Sequence, residues 1–167
     1  MIKKICFLLV FVCVGSFVFA QAQPRAILAK ADIDTFVKNY DAIQEVLDSH
    51  TDELSSLEMD FSDMDEKTII ASISKARNFP VSAKLRAALA PFKLGNNAFE
   101  KCMVILFGMS VVYLEEMVKE MKNEPEMKEF VAEFDRQIKP IKAAIHANDL
   151  RLINAQKDEL LQIFESM

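Results

Sequence analysis

The stretch CMVILFGMSVVYL, from Cys102 to Leu114, contains no charged side chain. Charged residues border it on both sides, with Glu100 and Lys101 before it and Glu115 after it. Its thirteen residues would rise only about 20 Å as a helix, whereas a bilayer core about 30 Å thick needs about 20 residues. Each flanking charge drawn into that core would cost about 2.5–3.5 kcal/mol. We therefore predict that the stretch is the buried centre of a helix over about residues 97–122.

The chain around this stretch carries apolar side chains at steps of three and four, the spacing of amphipathic helices. The first such stripe consists of Ile33, Phe36, Val37, Tyr40, Ile43, Leu47 and Leu54. Together with breaks at prolines and at a Gly-Asn-Asn loop, the stripes predict helices over about residues 32–54, 63–77, 82–92, 97–122, 125–145 and 148–167. One apolar helix surrounded by amphipathic helices is typical of a bundle. The predicted fold class is an all-α, single-domain bundle of about six helices.

Gly108 lies in the middle of the predicted central helix. Glycine inside a helix costs about 1 kcal/mol relative to alanine. We therefore expect a packing reason, namely a crossing helix that approaches the backbone at this position.

The N-terminus has the layout of a secretory signal peptide, because two lysines precede an apolar run over residues 5–20. Small residues suit cleavage after Ala20 or Ala22. A permanent N-terminal anchor is the alternative, since the run approaches the lower length limit of a membrane span. We predict a cleaved signal peptide over residues 1–22, a single helical domain over residues 23–167, and an exported protein.

Cysteine usage indicates the compartment. Removal of the signal peptide would take Cys6 and Cys13 with it and leave Cys102 alone, so an internal disulfide is excluded. A disulfide-free exported helical domain favours the bacterial periplasm, with secretion as the alternative. Since Cys102 lies among apolar residues, we expect a buried and inert thiol with a raised pKa.

Charge is unevenly distributed along the chain. The whole chain has a net charge of −5, and loss of the two N-terminal lysines makes it −7, which disfavours nucleic-acid binding. Residues 39–66 hold ten acids and no Lys or Arg, whereas residues 67–101 hold seven basic residues and one acid. Pairing between neighbouring helices would explain this pattern, and so would a face that binds an anionic partner or lipid headgroups. The candidate residues of that face are Lys75, Arg77, Lys84, Arg86 and Lys93.

Methionines in and after the central stretch suggest an alternative function, because their flexible side chains suit an adaptable apolar lining. The protein would then be a carrier or sensor of an apolar ligand, or a peripheral membrane protein that inserts residues 102–114 into one leaflet. The candidate lining residues are Met103, Phe107, Met109, Met117 and Met121. The competing interpretation is that these residues are ordinary core.

No motif points to an enzyme, a metal or a cofactor. The chain lacks G-x-S-x-G, H-E-x-x-H, a phosphate-binding loop and a dinucleotide fingerprint. His50 and His146 are too few for a structural zinc site without cysteines, and the acidic run from Asp60 to Glu66 lacks the glycine of an EF-hand loop. We predict no catalytic residue, metal site or cofactor. The expected role is non-enzymatic binding or structure in the cell envelope, with a protein or another envelope component as partner.

Four short motifs near the C-terminus are PEMKEF at 125–130, FD at 134–135, AND at 147–149 and AQ at 155–156. Together they resemble the last two helices of the small periplasmic b-type cytochromes, which are four-helix bundles that bind haem. That family holds its haem with a methionine in the first helix and a histidine near the end of the last. Here the first predicted helix has no methionine and the last has no histidine. The resemblance implies an exported helical bundle without the haem site.

Overall fold

The computed structural model describes residues 24–57 and 66–165, and the regular elements in these ranges are all helical. The α-helices are α1 Lys30–Lys38, α2 Tyr40–Asp48, α3 Thr51–Leu54, α4 Glu66–Arg77, α5 Ala83–Leu89, α6 Ala98–Met121, α7 Lys128–Ala143, α8 Ala147–Asn154 and α9 Lys157–Glu165. Short 3₁₀ turns cover Ser55–Leu57, Ala90–Phe92 and Pro125–Met127. The predicted all-α class is therefore confirmed. The predicted signal peptide over residues 1–22 and most of the acidic run at 60–66 lie outside the described residues.

The described ranges contain nine α-helices rather than about six, because the first and last predicted helices are broken. The first break is at Asn39, whose side-chain amide donates to the carbonyl of Thr35 at 2.8 Å. The second follows Ser49, whose hydroxyl donates to the carbonyl of Val46 at 2.8 Å. Such side-chain bonds compete with the backbone bonds of a continuing helix. The last predicted helix divides at residues 155–156 into α8 and α9.

The N-terminal half of α6 lies in the main hydrophobic core. Residues 98–112 include the ten buried residues of this helix, and they pack with side chains from α1, α2, α5, α8 and α9. Gly108 allows Ile153 of α8 to approach, and a methyl group at Gly108 would overlap Cδ1 of Ile153. None of the helices in the described part of the chain has the length and apolar character that a membrane crossing requires.

A tight connection reverses the chain between α6 and α7. The N–H of Glu124 donates to the carbonyl of Met121 at 3.0 Å, and Pro125 then opens the 3₁₀ turn that precedes α7. Proline suits this position because its missing N–H would have no partner in a first helical turn. A connection this short makes the two helices antiparallel neighbours, and Lys142 of α7 pairs with Glu115 of α6 at 2.7 Å. The helices form a hairpin.

Candidate functional site

The distal part of the hairpin, residues 113–137, contains no buried residue, and we call it the arm. Burial returns beyond the arm at Ile138 and Pro140 of α7. The described part of the bundle therefore covers the base of the hairpin and leaves the arm with a large exposed surface.

The arm nevertheless carries apolar side chains at helical spacing along both of its sides. They are Leu114, Met117, Val118 and Met121 before the turn, and Met127, Phe130, Val131 and Phe134 in and after it. Most of them are half-buried, but Phe130 is 58% exposed, more than any other large apolar side chain that the structure describes. Exposed apolar surface bordered by polar residues is typical of interaction sites.

A groove of about 550 Å³ lies between α6 and α7 where the arm joins the bundle. Val118 and Ile138 supply its apolar lining, and three lysines and two carboxylates supply its polar lining. Each lysine faces a carboxylate of the chain: Glu115 for Lys142 (2.7 Å), Glu116 for Lys119 (2.6 Å) and Glu66 for Lys139 (4.0 Å). The positive charge of the groove is thus largely matched within the protein.

Negative charge predominates on the arm, which has eight carboxylates and four basic side chains, a net charge of −4. Part of this negative charge is neutralised, because Lys119 and Lys157 both donate hydrogen bonds to Glu116. These bonds, the one from Lys119 more than the one from Lys157, lower the pKa of Glu116. Among the described residues, no ion pair involves the carboxylates Glu120, Glu124, Glu126, Glu129 and Asp135 or the ammonium groups Lys122 and Lys128. The arm therefore combines apolar side chains with unpaired carboxylates.

A buried carboxylate holds the extended segment that precedes α1. Asp149 is 0% exposed and accepts the backbone N–H of Ile27 at 3.0 Å and of Leu28 at 3.1 Å. It lies in the first turn of α8, where the helix dipole also stabilises negative charge. The side chain that caps α8 is His146, which accepts the N–H of Asn148 at 3.1 Å. Asp149 is therefore not the residue that caps α8, and its carboxylate serves tertiary structure instead.

A cavity of about 680 Å³ adjoins the same segment, between α4 and the ends of α6 and α7. Arg77, whose side chain is 9% exposed, donates to Glu100 at 3.2 Å and to the carbonyl of Ala144 at 3.0 Å. Arg25 bonds the second oxygen of Glu100 at 3.1 Å. Because both guanidinium groups already bond protein oxygens, the arrangement resembles an internal clamp more than an open anion site.

The residues predicted to line an apolar-ligand site lie in different environments. Met103 and Met109 are buried in the main core, and Phe107 is half-buried between two hydrophobic clusters. Met117 and Met121 lie on the arm. None of the five lines the groove or the cavity described above.

The basic residues predicted to meet an anionic partner also divide. Lys75, Lys84, Arg86 and Lys93 are exposed, whereas Arg77 is withdrawn into the pair with Glu100. Four of the five thus remain on the surface, on α4, on α5 and in the turn after it.

Groups that could carry chemistry stand apart from one another. Within residues 24–57 and 66–165, no cluster of three or more His, Cys, Asp or Glu side chains could hold a metal ion. Cys102 is fully buried, and burial raises the pKa of its thiol to about 12, so the reactive thiolate is scarce. His50 is buried with Nδ1 2.8 Å from the carbonyl oxygen of Val46. The N–H and hydroxyl of Ser82 donate to Glu53 at 2.6 and 2.7 Å and lower its pKa.

No family model, no curated protein and no solved structure matches this chain. The resemblance of residues 125–156 to the b-type cytochromes therefore has no support beyond the four motifs. The arm remains the feature from which a function can be argued.

Sequence reasoning missed the arm because it treated residues 97–122 as one buried helix. A signal was nevertheless present in the charge pattern. Residues 102–114 have no charged side chain, whereas positions 115, 116, 119, 120 and 122 are all charged. That change marks the place where α6 leaves the core.

Proposed function

We propose that this protein is exported to the periplasm or envelope of a bacterium, where it acts as a non-enzymatic binding protein that docks a protein partner on its arm. The helical bundle serves as the scaffold, and the hairpin carries the binding surface away from it. Export is supported by the charged and apolar N-terminal pattern with its small-residue cleavage sites.

The exposure of Phe130 within an otherwise half-buried apolar stripe is the observation that carries the binding role. Burying a phenylalanine side chain contributes about 1.5–3 kcal/mol. A partner that covers Phe130 would gain only the share of this energy that belongs to its exposed 58%, together with that of the half-buried stripe around it. Aromatic side chains are also enriched among the residues that dominate binding energies.

Site-specific photo-crosslinking in the organism that makes the protein tests this role. A photoreactive amino acid at Ala132, which is exposed on the arm, should give a discrete protein adduct. Replacement of Phe130 by serine in the same chain should abolish the adduct, because the partner loses its apolar contact.

A photoreactive group at Ala42, exposed on α2, is the matched control and should give no such adduct. The Phe130→Ser chain should keep the wild-type melting temperature, since the side chain is mostly exposed. An adduct that forms equally at both positions, or that persists without Phe130, would refute the proposed function.

Binding of an apolar ligand, or peripheral insertion into a membrane leaflet, is the second candidate function, and the half-buried Met117 and Met121 on the arm favour it. Insertion of residues 102–114 would require the core to open around Met103 and Met109. Lipid that co-purifies with the protein, or flotation with vesicles, would support this candidate over protein docking.

A further inference from the structure

We propose that the partner docked on the arm is a basic amphipathic helix, with an apolar stripe flanked by lysine or arginine. This inference rests on the proposed function, since it names the chemistry of what the arm binds.

The shape of the arm supports a helical occupant. Each side of the arm carries apolar residues at i, i+3, i+4 and i+7, with Met117 and Met121 before the turn and Phe130 and Phe134 after it. Two helices alone leave these side chains half-exposed, whereas a third apolar face laid against them would complete the packing. Binding of an amphipathic helix to an apolar groove is a recurring mode of peptide recognition. Methionines suit such a surface because they adapt to the occupant.

The charge around the stripe indicates the sign of the charge that a partner should carry. Five carboxylates of the arm have no ion-pair partner in the described residues, against two free lysines. The lysines of the adjoining groove are matched by Glu115, Glu116 and Glu66 and therefore add little positive charge. Complementary charge on a partner speeds association and suppresses partners of the same sign. Unpaired carboxylates therefore favour a helix with flanking lysines or arginines.

Two other occupants fit this charge less well. A second copy that packed arm against arm would bring two surfaces of net charge −4 together. An anionic lipid surface attracts basic segments and would repel the arm. Both remain measurable outcomes of the test.

Three synthetic helical peptides, each about 18 residues long and identical in their leucine stripe, test the inference. The remaining positions are lysine in the first peptide, glutamine in the second and glutamate in the third. Fluorescence anisotropy measures the affinity of each peptide for the full protein. We expect the lysine peptide to bind about tenfold more tightly than the glutamine peptide, and the glutamate peptide to bind most weakly. The difference should shrink in 1 M salt, where the Debye length is about 3 Å.

Charge-matched variants separate the arm from general acidity. Glu126→Gln with Glu129→Gln should weaken binding of the lysine peptide about three- to tenfold. Asp41→Asn with Glu45→Gln removes the same charge from exposed positions on α2 and should leave that affinity within about twofold. Phe130→Ser should weaken the glutamine and lysine peptides alike, because it removes the apolar contact.

The outcomes distinguish the two proposals. If all three peptides bind equally and depend on Phe130, the arm is a helix-binding site but the basic partner is wrong. If no peptide depends on Phe130, both proposals fail. Concentration-dependent dimers that vanish in the Phe130→Ser variant would assign the arm to a second copy. Phe130-dependent binding to phosphatidylglycerol vesicles, with no peptide bound, would assign it to a membrane surface.

Discussion

At the residue scale, Gly108 and Ile153 pack closely against each other in the core. The glycine lies in the buried half of α6, and a methyl group there would overlap Cδ1 of Ile153 and lie 3.3 Å from its Cγ2. Ile153 is fully buried, so its side chain has little room to move aside. The structure thus supplies the close approach that the sequence predicted at Gly108.

Replacement of Gly108 by leucine should lower the free energy of unfolding by about 1–3 kcal/mol through overpacking. Ile153→Ala alone should lower it by about 2–5 kcal/mol, because it leaves a cavity. The double variant should be more stable than the sum of these losses implies, by about 1 kcal/mol or more, since the leucine fills the space. Urea denaturation of all four proteins measures the coupling, and strictly additive losses would show that the two residues do not pack as described.

At the element scale, one buried carboxylate in α8 determines where the segment before α1 lies. Asp149 accepts two backbone N–H groups from residues 27 and 28, which the helical ladders do not supply with acceptors. A buried N–H without an acceptor costs about 1–3 kcal/mol. The backbone of the segment is therefore attached at the same place where the side chain of Leu28 is buried in the main core.

Asp149→Ala should lower the free energy of unfolding by about 2–4 kcal/mol, because both N–H groups lose their acceptor. Amide hydrogen exchange at Ile27 and Leu28 should accelerate far more than exchange within α6. The Asp149→Asn variant keeps one carbonyl oxygen and should lose less stability than the alanine variant. Unchanged protection at both amides in Asp149→Ala would contradict the role of this carboxylate.

At the scale of the whole molecule, the bundle holds its core at one end of the hairpin and presents the arm at the other. This division suits a scaffold that displays a binding surface. The export proposal concerns the same scale, because a protein that meets envelope partners must cross the cytoplasmic membrane, where its signal peptide is removed.

Intact-mass measurement of the protein from its native host checks export. We expect a chain that begins at Gln21 or Gln23, since cleavage after Ala20 or Ala22 satisfies the small-residue pattern. Cells with a blocked signal peptidase serve as the control, and their membrane fraction should contain the protein at its full mass. Native protein that keeps Met1 and sediments with membranes would establish a permanent anchor instead.

The sequence by itself determined the helical class, the burial of most of the stretch predicted at 102–114, and the turn at Pro125. These features depend on local periodicity and on the conformational limits of single residues, which neighbouring positions reveal. The helix breaks at Asn39 and Ser49 are also local features. They depend on whether a side-chain hydrogen bond to a backbone carbonyl replaces the helical backbone bond, and composition does not decide this.

Only the tertiary structure decided which polar groups are internal and which are exposed. Arg77 was predicted to be part of a basic face, but it pairs with Glu100 and donates to the carbonyl of Ala144. Nothing in the local sequence around Asp149 indicates that its carboxylate accepts the N–H groups of residues 27 and 28. These contacts join positions far apart in the chain, and no local pattern encodes the pairing. The arm shows the opposite difference. Its apolar side chains have the same helical spacing as those of the buried helices, and this spacing would predict that the arm is buried. It stays exposed because the described bundle covers it only near its base, where Lys157 of α9 pairs with Glu116, so the apolar pattern alone could not distinguish a core from an exposed surface.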